Sequence, residues 1–194
     1  MAYLSQSDKA TSEKQYVRRS MSRALLERDE EMDLARAWRD DSDEKSLHKL
    51  INAYARLVIA MASKFRHYGL PQADLVQEGN VGLMLAARRF DPERDIRFST
   101  YATWWVKAQM QDYVLRNWSI VRTGTTSAQK SLFFNLRRMR AMIEREKGEA
   151  VITDKDRKSI AQTMGVKLKD VNNMEQRLMG GDSSLNTKIG ESED

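Results

Sequence analysis

Residues 47–65 read LHKLINAYARLVIAMASKF, and this run decides the fold. Leu47, Leu50, Ile51, Tyr54, Leu57, Val58, Met61 and Phe65 recur at intervals of three and four, which lines them along one face of a long helix. Asp41-Ser42-Asp43 supplies a break and an N-cap before it, and Gly69 follows its end. Upstream, Asp29–Arg39 predicts a shorter helix whose Asp29, Glu30 and Glu31 suit the positive end of the helix dipole. Downstream, a helix from Asp74 to Phe90 offers Leu75, Val76, Val81, Leu83, Leu85 and Ala86 for burial. Gly79 and Gly82 within it cost roughly 1 kcal/mol each relative to Ala, so something is expected to pack closely there. Asp91-Pro92-Glu93 is a turn, and Ser99 or Thr100 is the expected cap of a third long helix reaching Asn117. Met1–Ser20 is polar and expected to be loosely ordered.

After Arg122, Thr123-Gly124-Thr125-Thr126 marks the expected domain boundary. Ser127 then opens a helix with Leu132, Leu136, Met139 and Ile143 on one face, closed by Gly148. Thr153-Asp154 caps a helix holding Ile160 and Ala161, Gly165 makes a turn, and Val166, Val171, Met174 and Leu178 lie beyond it. This is the pattern of a small helix-turn-helix unit. From Gly180 to Asp194 the chain is polar and acidic. The fold class is therefore all-α, with two small helical domains.

Composition excludes several function classes. The chain has 194 residues and no cysteine, so it has no disulfide framework, thiolate metal site or cysteine nucleophile. His48 and His67 are the only histidines, too few for a histidine-rich metal site. The longest apolar run, Leu57–Ala62, is far short of a membrane span, and a cytoplasmic location is expected. The net charge of +5 is uneven: residues 88–147 carry 13 basic and 6 acidic side chains, and the rest of the chain sums to −2. In the same region Phe98, Tyr101, Trp104, Trp105, Tyr113 and Trp118 place 6 of the 15 aromatic residues within 21 positions. A basic segment alone reads as a solvated helix face. Coincident basic and aromatic clusters suit a single-strand binder, since cations track phosphates and exposed rings stack on unpaired bases.

Little else suggests chemistry. Asp91, Glu93 and Asp95 alternate in a way that superficially suits a divalent-metal nuclease, although an acidic turn explains them more simply. No glycine-rich phosphate loop is present, and neither a cofactor nor a resident metal is expected. Asp74, Gln77 and Glu78 share one helical face, which reads either as a solvated surface or as a polar docking patch. Tyr101, Trp104 and Trp105 share one side of their helix, with Lys107 and Gln111 adjoining; they read as core or as an exposed stacking platform.

The stretch Asp74-Leu-Val-Gln-Glu-Gly-Asn-Val-Gly-Leu-Met84, followed by Phe98-Ser-Thr-Tyr-Ala-Thr-Trp-Trp105, closely resembles bacterial RNA polymerase sigma factors of the primary type. Tyr113-Val-Leu-Arg-Asn-Trp-Ser-Ile-Val-Arg122 and Gln129-Lys-Ser-Leu-Phe-Phe-Asn-Leu-Arg137 resemble the heat-shock subgroup more narrowly. The resemblance covers roughly residues 25–193 and implies a non-enzymatic promoter-specificity factor. It implies a disordered N-terminus over 1–11, a core-polymerase-binding and minus-ten-melting domain over 12–122, a three-helix domain over 125–180 and an acidic linker over 181–194. Implied partners are core RNA polymerase and promoter DNA, both as duplex and as single-stranded non-template strand. Chaperones and a regulatory protease are further implied partners.

The resemblance also assigns residues. Asp74, Gln77, Glu78, Asn80 and Met84 match positions that dock on a coiled coil of the largest polymerase subunits, with Gly79 and Gly82 allowing close packing there. Phe90, Asp91, Arg94, Arg97, Tyr101, Trp104 and Trp105 match positions that open the minus-ten element. Tyr101 would stack where a flipped adenine leaves the duplex, and the Trp pair would wedge against the upstream base pair. Lys107 and Gln111 match the duplex-contacting face just upstream. Gln129, Lys130, Phe133, Phe134 and Arg137 form the heat-shock box, in which Leu132, Phe133 and Leu136 are expected to pack inward while Gln129, Lys130 and Arg137 meet polymerase or DNA.

Departures from the family pattern matter. Ala108 stands where primary sigma factors carry a glutamine, so a different promoter preference is expected. Tyr54 replaces a polar residue that helps hold a flipped downstream base, and Lys167 stands where a Ser or Thr cap is usual. The family continues into a domain that reads the minus-35 element, so this sequence is expected to be a fragment. The competing readings are a stand-alone helix-turn-helix repressor reading DNA through Lys167–Arg177, and the metal nuclease.

Overall fold

The structure, a computed structural model, describes residues 6–120, 126–147 and 153–180. The described residues form eight α-helices and no strand. Packing groups them into a first unit up to Val114 and a second from Leu115. The linking residues Thr123–Thr125, the expected helix stop Gly148 and the acidic stretch 181–194 lie outside the described residues.

In the first unit, α3 (Glu44–Lys64) is the centre against which α1 (Gln6–Met21), α2 (Arg28–Asp41) and α4 (Gln72–Arg89) all pack. The predicted stripe accounts for this. Leu47, Leu50, Tyr54, Val58, Met61 and Phe65 are buried, and Ile51 and Leu57 are half-buried at its margin. The ends follow local chemistry. Ser42 adopts a left-handed conformation (φ 54°) that closes α2, and Asp43 accepts from the backbone N–H of Lys45 and Ser46 to start α3. A single 3₁₀ turn, Arg66–Tyr68, leads to Gly69 and into α4.

α1 corrects the expectation of a loosely ordered start. Its composition is polar, but it lies along α3, buries Ser20 and hydrogen-bonds through the Tyr16 hydroxyl to Asn80 of α4. Tertiary contact, rather than an apolar stripe of its own, accounts for this helix. Val81 is a second correction: it is exposed, not part of the core.

α5 (Phe98–Asn117) crosses α4 at the two glycines. A methyl group on Gly82 would lie 2.8 Å from the Trp105 carbonyl oxygen and 2.8 Å from the Val106 Cα. One on Gly79 would lie 2.6 Å from Val58 Cγ1 and would collide with Met110 Cε. The close packing is therefore internal, against α3 and α5. It does not serve an outside partner, as the family resemblance suggested.

The start of α5 also departs from expectation. Neither Ser99 nor Thr100 caps it. The Phe98 N–H donates instead to Glu31 Oε1 of α2 at 2.7 Å. Glu31 is fully buried and also accepts from the Tyr54 hydroxyl of α3, from Arg97 Nε (3.2 and 3.3 Å) and from Arg97 Nη2 (3.1 Å). One carboxylate thus joins α2, α3 and the N-terminus of α5. Burial, reinforced by the Glu31 carboxylate, pushes the Tyr54 phenol up to about 12. Hydrogen bonding to Glu31 and Tyr54 raises the Arg97 guanidinium.

The second unit is a three-helix arrangement of α6 (Ser127–Lys147), α7 (Asp154–Met164) and α8 (Leu168–Met179), each packing on the other two. Leu132, Phe133, Leu136, Ile160, Val171 and Met174 form its core, and Trp118 meets Phe133 edge-on at 5.1 Å. Thr153 caps α7 reciprocally with Asp156, and Gly165 (φ 63°) makes the turn, both as predicted. Lys167 offers α8 no side-chain cap, in line with its departure from the usual Ser or Thr. Arg157 bridges α7 to Glu175 of α8 at 2.7 Å.

Two measurements check this packing. Gly82→Ala should destabilise the protein by about 1–3 kcal/mol in urea unfolding, because its methyl group meets backbone that cannot swing aside. A gain in stability, as helix propensity alone would give, would show that the close approach is absent. Tyr54 bears on pH. Its phenol is harder to ionise in the fold than at its ordinary value near 10, so its contribution is intact below pH 10 and lost as pH rises through about 12. Tyr113, raised by burial and by Asp74, adds in the same direction. Unfolding midpoints should therefore fall between pH 10 and 12, and Tyr54→Phe should flatten that fall.

Candidate nucleic-acid interface

α5 presents its aromatic residues in a graded series. Phe98 is fully buried, and Phe90, at the end of α4, packs edge-on against it at 5.2 Å. Tyr101 lies next, half-buried, 5.7 Å from Phe90, with its hydroxyl donating to the Arg89 carbonyl at 3.3 Å. Trp105 follows, half-buried and 6.2 Å from Tyr101, with the Arg89 guanidinium 4.8 Å over its ring. Trp104 projects outward and is 70% exposed. The choice between core and platform therefore resolves residue by residue: the series starts in the core and ends in solvent. Phe90, expected at the DNA surface, is a buried support beneath Tyr101. Lys107 is exposed and Gln111 half-buried one turn further on, with Ala108 exposed beside Lys107.

The acidic turn after α4 faces the arginines of α2. Asp91 pairs with Arg39 (3.5 Å) and Arg94 (3.6 Å), Glu93 pairs with Arg36 (3.1 Å) and Arg39 (3.6 Å), and Asp95 pairs with Arg28. Hydrogen bonding to Glu93 raises the Arg36 guanidinium, and hydrogen bonding to Asp40 raises that of Arg39. The three carboxylates are drawn outward to arginines, whereas a metal nuclease needs them to converge on one point. Among the described residues no three acidic or histidine side chains are grouped to hold a metal ion. Arg94 is exposed. Arg97 is exposed but engaged: it is bound to Glu31 and donates to the Leu26 carbonyl at 3.0 Å.

On α4, Asp74 and Gln77 are exposed, Glu78 is half-buried, and Val81 and Met84 extend the same outward surface. Asp74 accepts from the Tyr113 hydroxyl at 3.1 Å. Asn80 sits at the edge of this face, engaged by Tyr16. On α6, Phe133 is buried and Phe134 half-buried, while Lys130 and Arg137 are exposed. Gln129 is half-buried: its side chain accepts from Thr126 N–H at 3.5 Å, and its own N–H donates to the Thr126 hydroxyl at 3.2 Å. Leu132, Phe133 and Leu136 are buried as expected and Lys130 and Arg137 are exposed, whereas Gln129, expected to face outward with them, is half-buried.

Three residues that matter to this surface were not picked out from the sequence. Arg89 orders both Tyr101 and Trp105, Tyr16 engages Asn80, and Glu31 anchors α5. For Glu31 a signal existed: it stands four residues before Ala35 and seven before Trp38, inside the inward stripe of α2.

Comparison with known proteins agrees with the motifs. Residues 50–120 match the Sigma-70 region 2 family. Over 169 residues, 86% of this chain, the sequence is 46% identical to the RNA polymerase sigma factor RpoH of Zymomonas mobilis. It is 44% identical over 172 residues to RpoH of Caulobacter vibrioides, and 42% identical over 171 residues to the sigma-C factor of Myxococcus xanthus. The chain spans about half the length of these relatives, 55%, 58% and 57% respectively. None of these similarities favours the repressor reading. No described helix is long and apolar enough to cross a membrane. With the helical order, the aromatic series on α5 and these relatives in agreement, residues 50–120 form a Sigma-70 region 2, and the chain is similar over most of its own length to RNA polymerase sigma factors, RpoH among them.

Proposed function

We propose that the chain acts as an alternative sigma factor of heat-shock type. It docks on core RNA polymerase, directs it to stress promoters, and recognises and melts the minus-ten element. The observation that carries this reading is the solvent-projecting Trp104 beside half-buried Tyr101 and Trp105 on one rigid helix. Extruding a base from duplex DNA costs a few kcal/mol. Stacking a base on an aromatic side chain returns about 1–3 kcal/mol. Two or three captured bases therefore offset the cost of opening without nucleotide hydrolysis, and no catalytic group is required of this chain. Tyr101 is the stacking surface, the Trp pair is the wedge at the upstream fork, and Arg94, Lys107 and Gln111 follow the adjoining DNA. Phe90 contributes by supporting Tyr101, and Asp91 by pairing the turn that follows with α2.

The outward face of α4 suits the polymerase partner. Asp74, Gln77 and Glu78 offer polar and acidic groups, and Val81 and Met84 add an apolar margin, the mixture a helical coiled coil can seat. Asn80 lies at the rim of that face. The exposed Lys130 and Arg137 of α6, with Gln129 and Phe134 beside them, provide a second contact to polymerase or DNA. The division of labour we propose is melting and docking by residues 12–122 and this further contact by 125–180. The protein then works in the cytoplasm with the transcription machinery, and chaperones and a regulatory protease are the partners the reading carries over for its control.

Replacing Trp104 and Trp105 together by Ala should reduce open-complex formation on a heat-shock promoter by about 10- to 100-fold, the loss of one stacking contact. Core binding should remain. Gln77→Ala with Glu78→Ala should show the reverse, weakened co-purification with core polymerase and an unchanged fold by circular dichroism. If the Trp double variant still opened the duplex normally, the melting assignment would fail.

A further inference from the structure

We infer that Glu31 is a positioning residue for promoter opening: its buried carboxylate fixes where α5 begins, and thereby where Tyr101 and Trp104-Trp105 stand. This deepens the proposed function and rests on it.

The first N–H groups of a helix lack partners within the helix, and the positive end of its dipole favours an anion. α5 meets that need with a carboxylate from another helix, Glu31, fully buried and bonded to the Phe98 N–H at 2.7 Å. The same carboxylate takes both Arg97 Nε and Nη2, so the residue preceding the helix and the first residue within it are held by one group. Arg97 Nη2 continues to the Leu26 carbonyl just ahead of α2. From Phe98, ring contacts run to Phe90, Tyr101 and Trp105 with centroid steps of 5.2, 5.7 and 6.2 Å. Successive residues of a helix are offset by about 100°, so any slip in where α5 starts re-aims the rings that follow. Glu31 bonds to Tyr54, Arg97 and the Phe98 N–H rather than to Tyr101 or the Trp pair, and acts through the helix start.

The substitution Glu31→Gln is the informative one. It keeps the shape and one carbonyl for the Phe98 N–H, but turns an amide NH₂ toward donors on Arg97 or Tyr54. The Arg97 side chain is 42% exposed and can turn to water, so the fold should survive. Glu31→Gln should form open complexes on duplex promoter DNA about tenfold more slowly than the parent. Binding to core polymerase, and to a promoter already melted across the minus-ten element, should stay within twofold. Tyr54→Phe removes one donor to the same carboxylate but leaves its bonds to α5, and should open duplex within twofold of the parent.

Normal opening by Glu31→Gln would overturn the inference while leaving the proposed function standing. A loss shared equally by core binding and pre-melted DNA, or an equal loss in Tyr54→Phe, would overturn it too, since Glu31 would then serve the fold in general. Failure of the parent protein itself to open duplex DNA with core polymerase would sink the proposed function and this inference together.

Discussion

A carboxylate with no solvent exposure is costly unless donors surround it, and Glu31 has donors from three directions. Tyr54 brings α3, Arg97 brings the turn after α4, and the Phe98 N–H brings α5. Removing any single partner leaves charge or a lone pair to be re-satisfied in a dry place, which is why such junctions fix geometry more firmly than an apolar contact does. The aromatic series that ends at Trp104 begins at this junction. Its outer members can be exposed because its first member is held.

The two glycines of α4 complete the constraint from the other side. Gly82 lets the α5 backbone at Trp105 and Val106 approach within a methyl's reach, and Gly79 admits Met110 and Val58. With its inward face committed to α3 and α5, α4 has only one way to turn Asp74, Gln77, Val81 and Met84: outward. The docking surface and the aromatic surface are thus set by the same internal contacts. The ion pairs between α2 and the acidic turn are exposed and individually add little to stability. Their effect is to hold the turn that follows Phe90 against α2.

Much of this was readable from the amino-acid order because it is local. The stripe from Leu47 to Phe65, the Asp43 and Thr153 caps and the Gly165 turn depend on residues within a few positions of one another, and they stand where the spacing puts them. What was not readable depends on distant partners. Glu31 sits in an acidic first turn that the helix dipole already explains; its place in the inward stripe of α2 marks it for burial, but its partner Phe98 lies 67 residues away. Asp91, Glu93 and Asp95 look like metal ligands until the arginines of α2 are brought against them. Helical spacing put Tyr101, Trp104 and Trp105 on one side but could not separate the exposed ring from the half-buried ones. Gly79 and Gly82 signalled close packing correctly, while the neighbour they admit had to come from the fold. The helix α1, largely polar, is held by contacts its own composition does not advertise.

The anchoring of α5 can be tested without polymerase or DNA, by amide hydrogen exchange resolved at single residues. A first-turn N–H open to water exchanges nearly as fast as an unstructured one. If Glu31 holds the helix start, the Phe98 amide should exchange orders of magnitude more slowly than that of Ser99, approaching the interior amides of Val106 and Met110. It should also lose that protection in Glu31→Gln. Equal, rapid exchange at Phe98 and Ser99 in the parent protein would contradict the account at its base.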